Sequence, residues 1–330
     1  MSENLGRAAR ARLIASSLVL CCAMGCERAK PNGRDARTSP DVAAEAMGSA
    51  LRNATIVPLN ARRELTENSA AAMSVRQPGV LFTINDSGHD PELFAVDTTG
   101  ADRGVWRLSG AMNVDWEAAS LGPCAGQASS NAPFNCVYIG DTGENGPHQS
   151  RAIYRVVEPD ADGRRGAVQA EVMLYTYPDQ RHDVEAMYVA RNGDVVLITK
   201  RPITDRRGRL RPALVFRIPA SAWSSKERVV AQLVDSLPIV PGSVPFRLIT
   251  DASLAPDGHH IAVRTYAQVF IFATDSVTGS VNHAVEPRIC DLTGLGEAQG
   301  EGVSWINDRG RLVFTSEGRR APLNLGDCPP

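Results

Sequence analysis

Trp116-Glu117-Ala118-Ala119, followed after a turn by Cys136-Val137-Tyr138-Ile139, is the stretch that decides the fold. An acid opens one short apolar strand, and a second strand answers it. The same arrangement returns at Thr66-Glu67-Asn68-Ser69 with Val80-Leu81-Phe82-Thr83, and at Val184-Glu185-Ala186-Met187 with Val195-Val196-Leu197-Ile198. It returns again at Thr250-Asp251-Ala252-Ser253 with Ile261-Ala262-Val263-Arg264, and at Gly300-Glu301-Gly302-Val303 with Leu312-Val313-Phe314-Thr315. Successive acids lie 50, 68, 66 and 50 residues apart. A unit repeated at that period cannot bury its own apolar face and must stack on copies of itself.

Each unit reads as four strands separated by turn chemistry. Arg191-Asn192-Gly193-Asp194, Pro256-Asp257-Gly258 and Asn307-Asp308-Arg309-Gly310 place Gly, Asn and Asp where hairpins need positive φ. Many short strands with few helical periodicities argue for an all-β fold. The repeat makes that fold a β-propeller of five four-stranded blades. The fifth unit runs out of chain, so an N-terminal strand at 54–59 is expected to supply its outer strand and close the ring. Six blades follow instead if the long second unit, or the stretch 233–246, hides a degenerate blade.

The chain before the repeats carries export signals. Arg7, Arg10 and Arg12 precede an apolar run too short to cross a membrane, ending at Ala23-Met24-Gly25-Cys26. Residues 1–26 read as a lipoprotein-type signal peptide with lipidation at Cys26, residues 27–52 as a flexible spacer, and 53–330 as the propeller. Glu27, rather than an Asp, follows the Cys, so nothing there signals inner-membrane retention. Four cysteines remain outside the signal: Cys124, Cys136, Cys290 and Cys328. An even count in an exported chain predicts two disulfides, with three pairings to choose from. Cys124 and Cys136 bracket one loop within a unit and pair locally, which leaves Cys290 with Cys328. The expected location is the bacterial cell envelope, lipid-anchored, facing the periplasm or the outside. A formal net charge of −2 gives no electrostatic footprint for nucleic acid.

Glu67, Glu117, Glu185, Asp251 and Glu301 begin the innermost strands and so are expected around one axial channel. Two roles stay open for them. They form a ring of hard oxygen ligands for Ca²⁺ or Mg²⁺, or each accepts backbone N–H bonds from the neighbouring blade. A second polar set stands at the ends of the second strands: Asn85, Asp86, Asp141, Lys200, Tyr266 and Glu317. The loops after Asp86 and Asp141 are rich in oxygen ligands but lack the spacing of a twelve-residue EF-hand; tight Asx-type turns account for them equally well. His182, beside Asp183 and Glu185, is the one candidate general base. The nucleophile-elbow, phosphate-loop and zinc-helix motifs are absent from the sequence. The four tryptophans are expected to pack between blades.

Several short motifs occur in a fixed order: Asn85-Asp86-Ser87-Gly88, Asp115-Trp116-Glu117, Gly140-Asp141-Thr142-Gly143-Glu144-Asn145, Asp183-Val184-Glu185-Ala186 with Thr199-Lys200, Ser253-Leu254-Ala255-Pro256-Asp257-Gly258, Arg264-Thr265-Tyr266 and Gln299-Gly300-Glu301-Gly302. Together they resemble a family of exported bacterial β-propellers of uncharacterised function. That family is distantly similar to esterase-like phytases, lactonases of the SMP-30 type and NHL-repeat propellers. The resemblance implies acidic residues and Asn at the channel mouth, with Ca²⁺ as the cofactor. The chain departs from true propeller phytases in having Lys200 and Arg264 scattered, without a phosphate-gripping Lys/Arg cluster. The expected function is an envelope-anchored binding module for a protein, glycan or small-molecule partner. The alternative is a divalent-metal-dependent phosphoesterase or lactonase acting in the acidic channel.

Overall fold

The computed structural model describes residues 48–124, 135–145, 151–200, 207–225, 227–239 and 247–328. The signal peptide, Cys26 and most of the predicted spacer lie outside them. The strands follow in chain order. β1 (Ser49–Ala50) and β2 (Arg52–Val57) precede the first blade, which holds β3 (Ala72–Met73), β4 (Val80–Ile84), β5 (Glu92–Asp97) and β6 (Asp102–Ser109). The second blade has β7 (Trp116–Pro123), β8 (Asn135–Asp141) and β9 (Arg151–Val157), then β11 (Glu171–Thr176) after the excursion β10 (Arg165–Gln169). The third has β12 (Val184–Val189), β13 (Val195–Thr199) and β14 (Ala213–Ile218), then β16 (Gln232–Leu237) after the short β15 (Val229–Val230). The fourth is β17 (Ile249–Leu254), β18 (His260–Thr265), β19 (Gln268–Ala273) and β20 (Arg288–Asp291). The fifth is β21 (Gly300–Trp305), β22 (Arg311–Ser316) and β23 (Leu323–Asp327). The only helices among the described residues are two 3₁₀ turns, Ala220–Ser224 and Thr293–Leu295.

These strands form five sheets, one per blade, in a ring. As expected for a repeat that cannot bury its face alone, the core is divided among the seams. One buried cluster joins blades 1 and 2 through Phe82, Trp106, Trp116, Ile139 and Tyr154. Others join blades 2 and 3, 3 and 4, and 4 and 5. The last joins blade 5 to blade 1 through Val313 and Leu325 against Leu81 and Phe94. Each fully buried side chain of this size contributes about 1.5–3 kcal/mol. Trp106, Trp116 and Trp305 are buried in such seams, and Trp223 packs against one while Arg155 stacks on its ring at 4.0 Å.

The ring closes as predicted. β2 pairs antiparallel with β23 as the outer strand of blade 5, with Val57 opposite Leu323 and Arg52 opposite Asp327. The described chain begins inside the stretch read as spacer, and its Ser49–Ala50 pair parallel to β20, with Ser49 opposite Cys290. Both predicted disulfides are present, with Cα separations of 5.1 Å for Cys124–Cys136 and 5.9 Å for Cys290–Cys328.

Three details differ from the sequence reading. The innermost strand expected over 67–75 forms a ladder only at Ala72–Met73, with an isolated bridge between Asn68 and Asn85. The fourth strand of blade 3, expected at 229–235, starts at Gln232, because Val229–Val230 pair with β11 of blade 2 instead. Ala231, fully buried and donating to Thr176 O at 2.8 Å, is the pivot between them. The length of the second unit is not a degenerate sixth blade: its extra residues place β10 parallel to β6 as a fifth strand on blade 1.

Candidate functional site at the channel mouth

The innermost strand of each blade carries one extra residue where it leaves the channel mouth. Trp116 pairs with Asp141 and Ala118 with Gly140, leaving Glu117 unpaired between them. Val184 pairs with Thr199 and Ala186 with Ile198, leaving Glu185. Gly300 pairs with Ser316 and Val303 with Phe314, so the same irregularity spans Glu301. A bulge of this kind re-aims a side chain out of the pleat. Here it sends three carboxylates into a cavity of about 350 Å³ lined also by Asp86, Glu144, Asn145, Asp183, Lys200, Gln299 and Glu317.

The same register corrects the sequence reading at Glu67 and Asp251. In blade 4 Ile249 pairs with Thr265 and Asp251 with Arg264, so the bulged residue is Thr250. In blade 1 the Asn68–Asn85 bridge and the Ala72–Phe82 pair put Ser69 at that address. Glu67 is exposed instead, 3.5 Å from His89 Nδ1. Asp251 is fully buried away from the cavity and accepts backbone N–H bonds from Ala71 (3.3 Å), Ala252 (2.8 Å) and Val303 (2.8 Å). Burial pushes its pKa well up, against the pull of those donors and Arg264.

The second polar set divides in the same way. Residues just past β4, β13 and β22 share one backbone bond across the mouth: Asp86 N to Glu67 O, Lys200 N to Asp183 O, and Glu317 N to Gln299 O. Asp86, Lys200 and Glu317 line the cavity. Asn85 and Asp141 stand one residue earlier, and strand alternation turns them away. Asn85 Oδ1 accepts from the N–H groups of Thr66 and Glu67, both at 3.0 Å. Asp141 Oδ1 accepts from Asp115 N at 2.8 Å, and burial pushes its pKa up to about 6.

Asp86, Asp115 and Glu117 bring one carboxylate oxygen each within 4.8 Å of one another. Ligands on opposite sides of a Ca²⁺ ion are about that far apart, given bonds of roughly 2.3–2.6 Å. Asn145 donates to Asp115 through its backbone N–H (2.6 Å) and its side chain (2.9 Å). Gly143 is needed beside the cluster, since a Cβ there would collide with Asp115 Oδ2 and lie 2.7 Å from Glu117 Oε1. Burial and then the Glu185, Asp86 and Asp115 carboxylates push the Glu117 pKa far above its ordinary value. Such crowding is relieved by a bound cation, and the donor set fits one.

The opposite wall carries compensating groups. Lys200 Nζ donates to Glu185 Oε1 and lies 5.8 Å from the Tyr266 ring. Burial opposes the charge on Lys200, but the Glu185 carboxylate more than offsets it and holds its pKa above the ordinary value. Burial raises Glu185, with Lys200 pulling the other way. Gln299 Nε2 bridges Glu301 (2.8 Å) and Glu317 (2.7 Å). Burial pushes Glu301 up to about 7.

His182 is not part of this constellation. It is buried between the Tyr177 and Phe216 rings, each with a centroid 4.8 Å away, and its Nε2 bonds Asp179 at 3.0 Å. Three cavity-mouth residues that the sequence motifs contain but to which no site role was given, Asp115, Asp183 and Gln299, each precede a bulged glutamate by two positions. That polar-x-Glu spacing is the signal that would have found them.

No protein-family model matches the chain, and no curated protein sequence does. Solved structures that resemble it are β-propellers at low identity. A gluconolactonase from Xanthomonas campestris is 16% identical, with 85% of this chain and 82% of that one covered and a TM-score of 0.42. The glutaminyl cyclase of Myxococcus xanthus is 14% identical, with coverage of 84% and 99% and a TM-score of 0.45. A streptogramin B lyase is 9% identical, with coverage of 83% and 97% and a TM-score of 0.40. The likeness is one of fold.

Proposed function

We propose that this protein is an exported, lipid-anchored β-propeller whose channel mouth binds a divalent cation, Ca²⁺ before Mg²⁺, and through it an oxygen-rich ligand of the envelope. The carrying observation is the convergence of Asp86, Asp115 and Glu117 oxygens within 4.8 Å beside a cavity whose one described cationic side chain is Lys200. Ca²⁺ accepts six to eight oxygens in irregular geometry, which suits carboxylates drawn from separate segments; Mg²⁺ demands a near-ideal octahedron. Two disulfides fit an oxidising compartment. No helix among the described residues is long and apolar enough to cross a membrane. The test is calorimetric titration of the full-length protein with Ca²⁺ and Mg²⁺, repeated on Glu117→Gln. Saturable Ca²⁺ binding that the variant loses supports the reading, and an absence of Ca²⁺ binding refutes it.

A second reading, a metal-dependent phosphoesterase or lactonase, draws on one observation. Glu301 is a buried carboxyl lining the same cavity, with its pKa pushed up to about 7, and such a group suits proton transfer near neutral pH. Turnover of a phosphoester and lactone panel with Ca²⁺, abolished in Glu301→Gln while Ca²⁺ still binds, would favour it over binding alone.

A further inference from the structure

Two pairs of consecutive arginines, far apart in the chain, meet in a separate cavity. Arg62, Arg63, Arg319 and Arg320 line a space of about 350 Å³ with Leu65. The loop between β22 and β23 is tied to the segment before β3 by Gly318 N donating to Thr66 O at 3.1 Å, and Ala321 N closes the turn on Gly318 O. Arg62 is held by Asp102, at 3.1 Å, and by Gly163 O. Among the described residues no carboxylate lies within ion-pair distance of Arg63, Arg319 or Arg320. The nearby acids are engaged elsewhere: Glu64 bonds Arg165, Glu67 faces His89, and Glu317 accepts from Gln299. Arg320 also adopts φ 58°, one of two positive values among described non-glycine residues.

Arg63, Arg319 and Arg320, exposed and without an acid of their own, repel one another, and a bound anion relieves that. Guanidinium forks match the oxygens of a tetrahedral oxyanion in paired hydrogen bonds. The cavity is larger than such an anion alone and has a buried leucine in its wall, which leaves room for an organic substituent. We infer that this cavity is an anion site for a small phosphate or sulfate ester, separate from the acidic channel mouth. The arginines of this cavity come from 62–63 and 319–320, not from Lys200 and Arg264.

The test titrates the full-length protein, in EDTA to remove cation bridging, with inorganic phosphate, sulfate and a sugar phosphate, following heat and melting temperature. Chloride at matched ionic strength is the reference. Saturable binding is expected, weakened at least about tenfold in Arg319→Gln/Arg320→Gln and in Arg63→Gln, because each removes a charge-assisted pair. A variant with the same charge change elsewhere, Arg107→Gln/Arg164→Gln, should bind as the parent does. Preference for phosphate or for sulfate identifies which ester the site takes. A response that chloride reproduces, or one that both double variants diminish equally, would overturn the inference.

Discussion

Glu301→Gln is the substitution whose effect on stability should depend most plainly on pH. Burial raises the Glu301 pKa from its ordinary 4.5 to about 7 in the folded chain. A carboxyl with a raised folded value favours folding when protonated. That contribution is fully present below pH 4.5 and is lost as the pH rises through about 7. At 1.36 kcal/mol per pH unit the gap is worth about 3 kcal/mol, an upper figure for one group. Without divalent cations, the parent should therefore lose stability between pH 5 and 8 more steeply than Glu301→Gln. The variant should match it near pH 5 and exceed it by up to about 3 kcal/mol at pH 8. Saturating Ca²⁺ should raise parent and variant alike, by about 2.7 kcal/mol at a hundredfold excess over Kd, because Asp86, Asp115 and Glu117 are intact in both. Urea unfolding in EDTA and in Ca²⁺, at half-unit pH steps, reads all of this. A variant equally destabilised at pH 5 and pH 8 in EDTA would refute the reasoning, because Glu301 would then be an ionised and fully compensated carboxylate in the folded state.

Other outcomes follow from neighbouring contacts. Asp251→Ala strands three backbone donors in the ring interior and should cost at least about 3 kcal/mol by urea unfolding, with or without Ca²⁺; a neutral substitution would show that the clasp is not structural. Lys200→Met removes the ammonium paired with Glu185 and should destabilise more above about pH 9 than at about pH 6, since Glu185, pushed up to about 8 even beside Lys200, is protonated at the lower value. Gly143→Ala should abolish the Ca²⁺ heat while shifting the melting temperature little in EDTA, because its Cβ intrudes on Asp115 and Glu117.

The blade count, the N-terminal closure and both disulfides were legible because each is written locally. Strand runs alternate with Gly/Asn/Asp turns, the fifth unit lacks a strand, and two cysteines bracket one loop. What was not legible depended on register. Side chains alternate with period two, so an offset of one residue separates Asp86 from Asn85 and Thr250 from Asp251. Bulges reset that alternation at the mouth, and hydropathy carries no mark of them. β10 and β15 escaped notice for a different reason. Each is short, and its partner belongs to the preceding blade, so no pattern within its own unit announces it. The arginine cavity needs the closed ring before its two halves meet.

Of the two roles left open for the acids, the backbone clasp is seen at Asp251, while Glu117, Glu185 and Glu301 face the cavity. Across the seams of blades 4, 5 and 1, polar groups clasp backbone. Asp251 takes N–H groups from Ala71 and Val303, and Thr250 Oγ1 donates to Glu301 O at 2.8 Å. Arg264, fully buried, donates to Gly302 O and Thr315 O and pairs with Glu297. Blades 2 and 3 close with less. Ser69 Oγ donates to Glu117 at 3.2 Å, and Thr142 Oγ1 to Val184 O at 2.6 Å, which leaves carboxylate oxygens of Glu117 and Glu185 facing the cavity. Asp251 spends its oxygens on three backbone donors and stays out of the cavity, whereas Asp115 accepts from Asn145 and still brings an oxygen near those of Asp86 and Glu117. The bulge separates the positions: the acid on the ladder locks blades, and an acid lifted out of it faces the cavity.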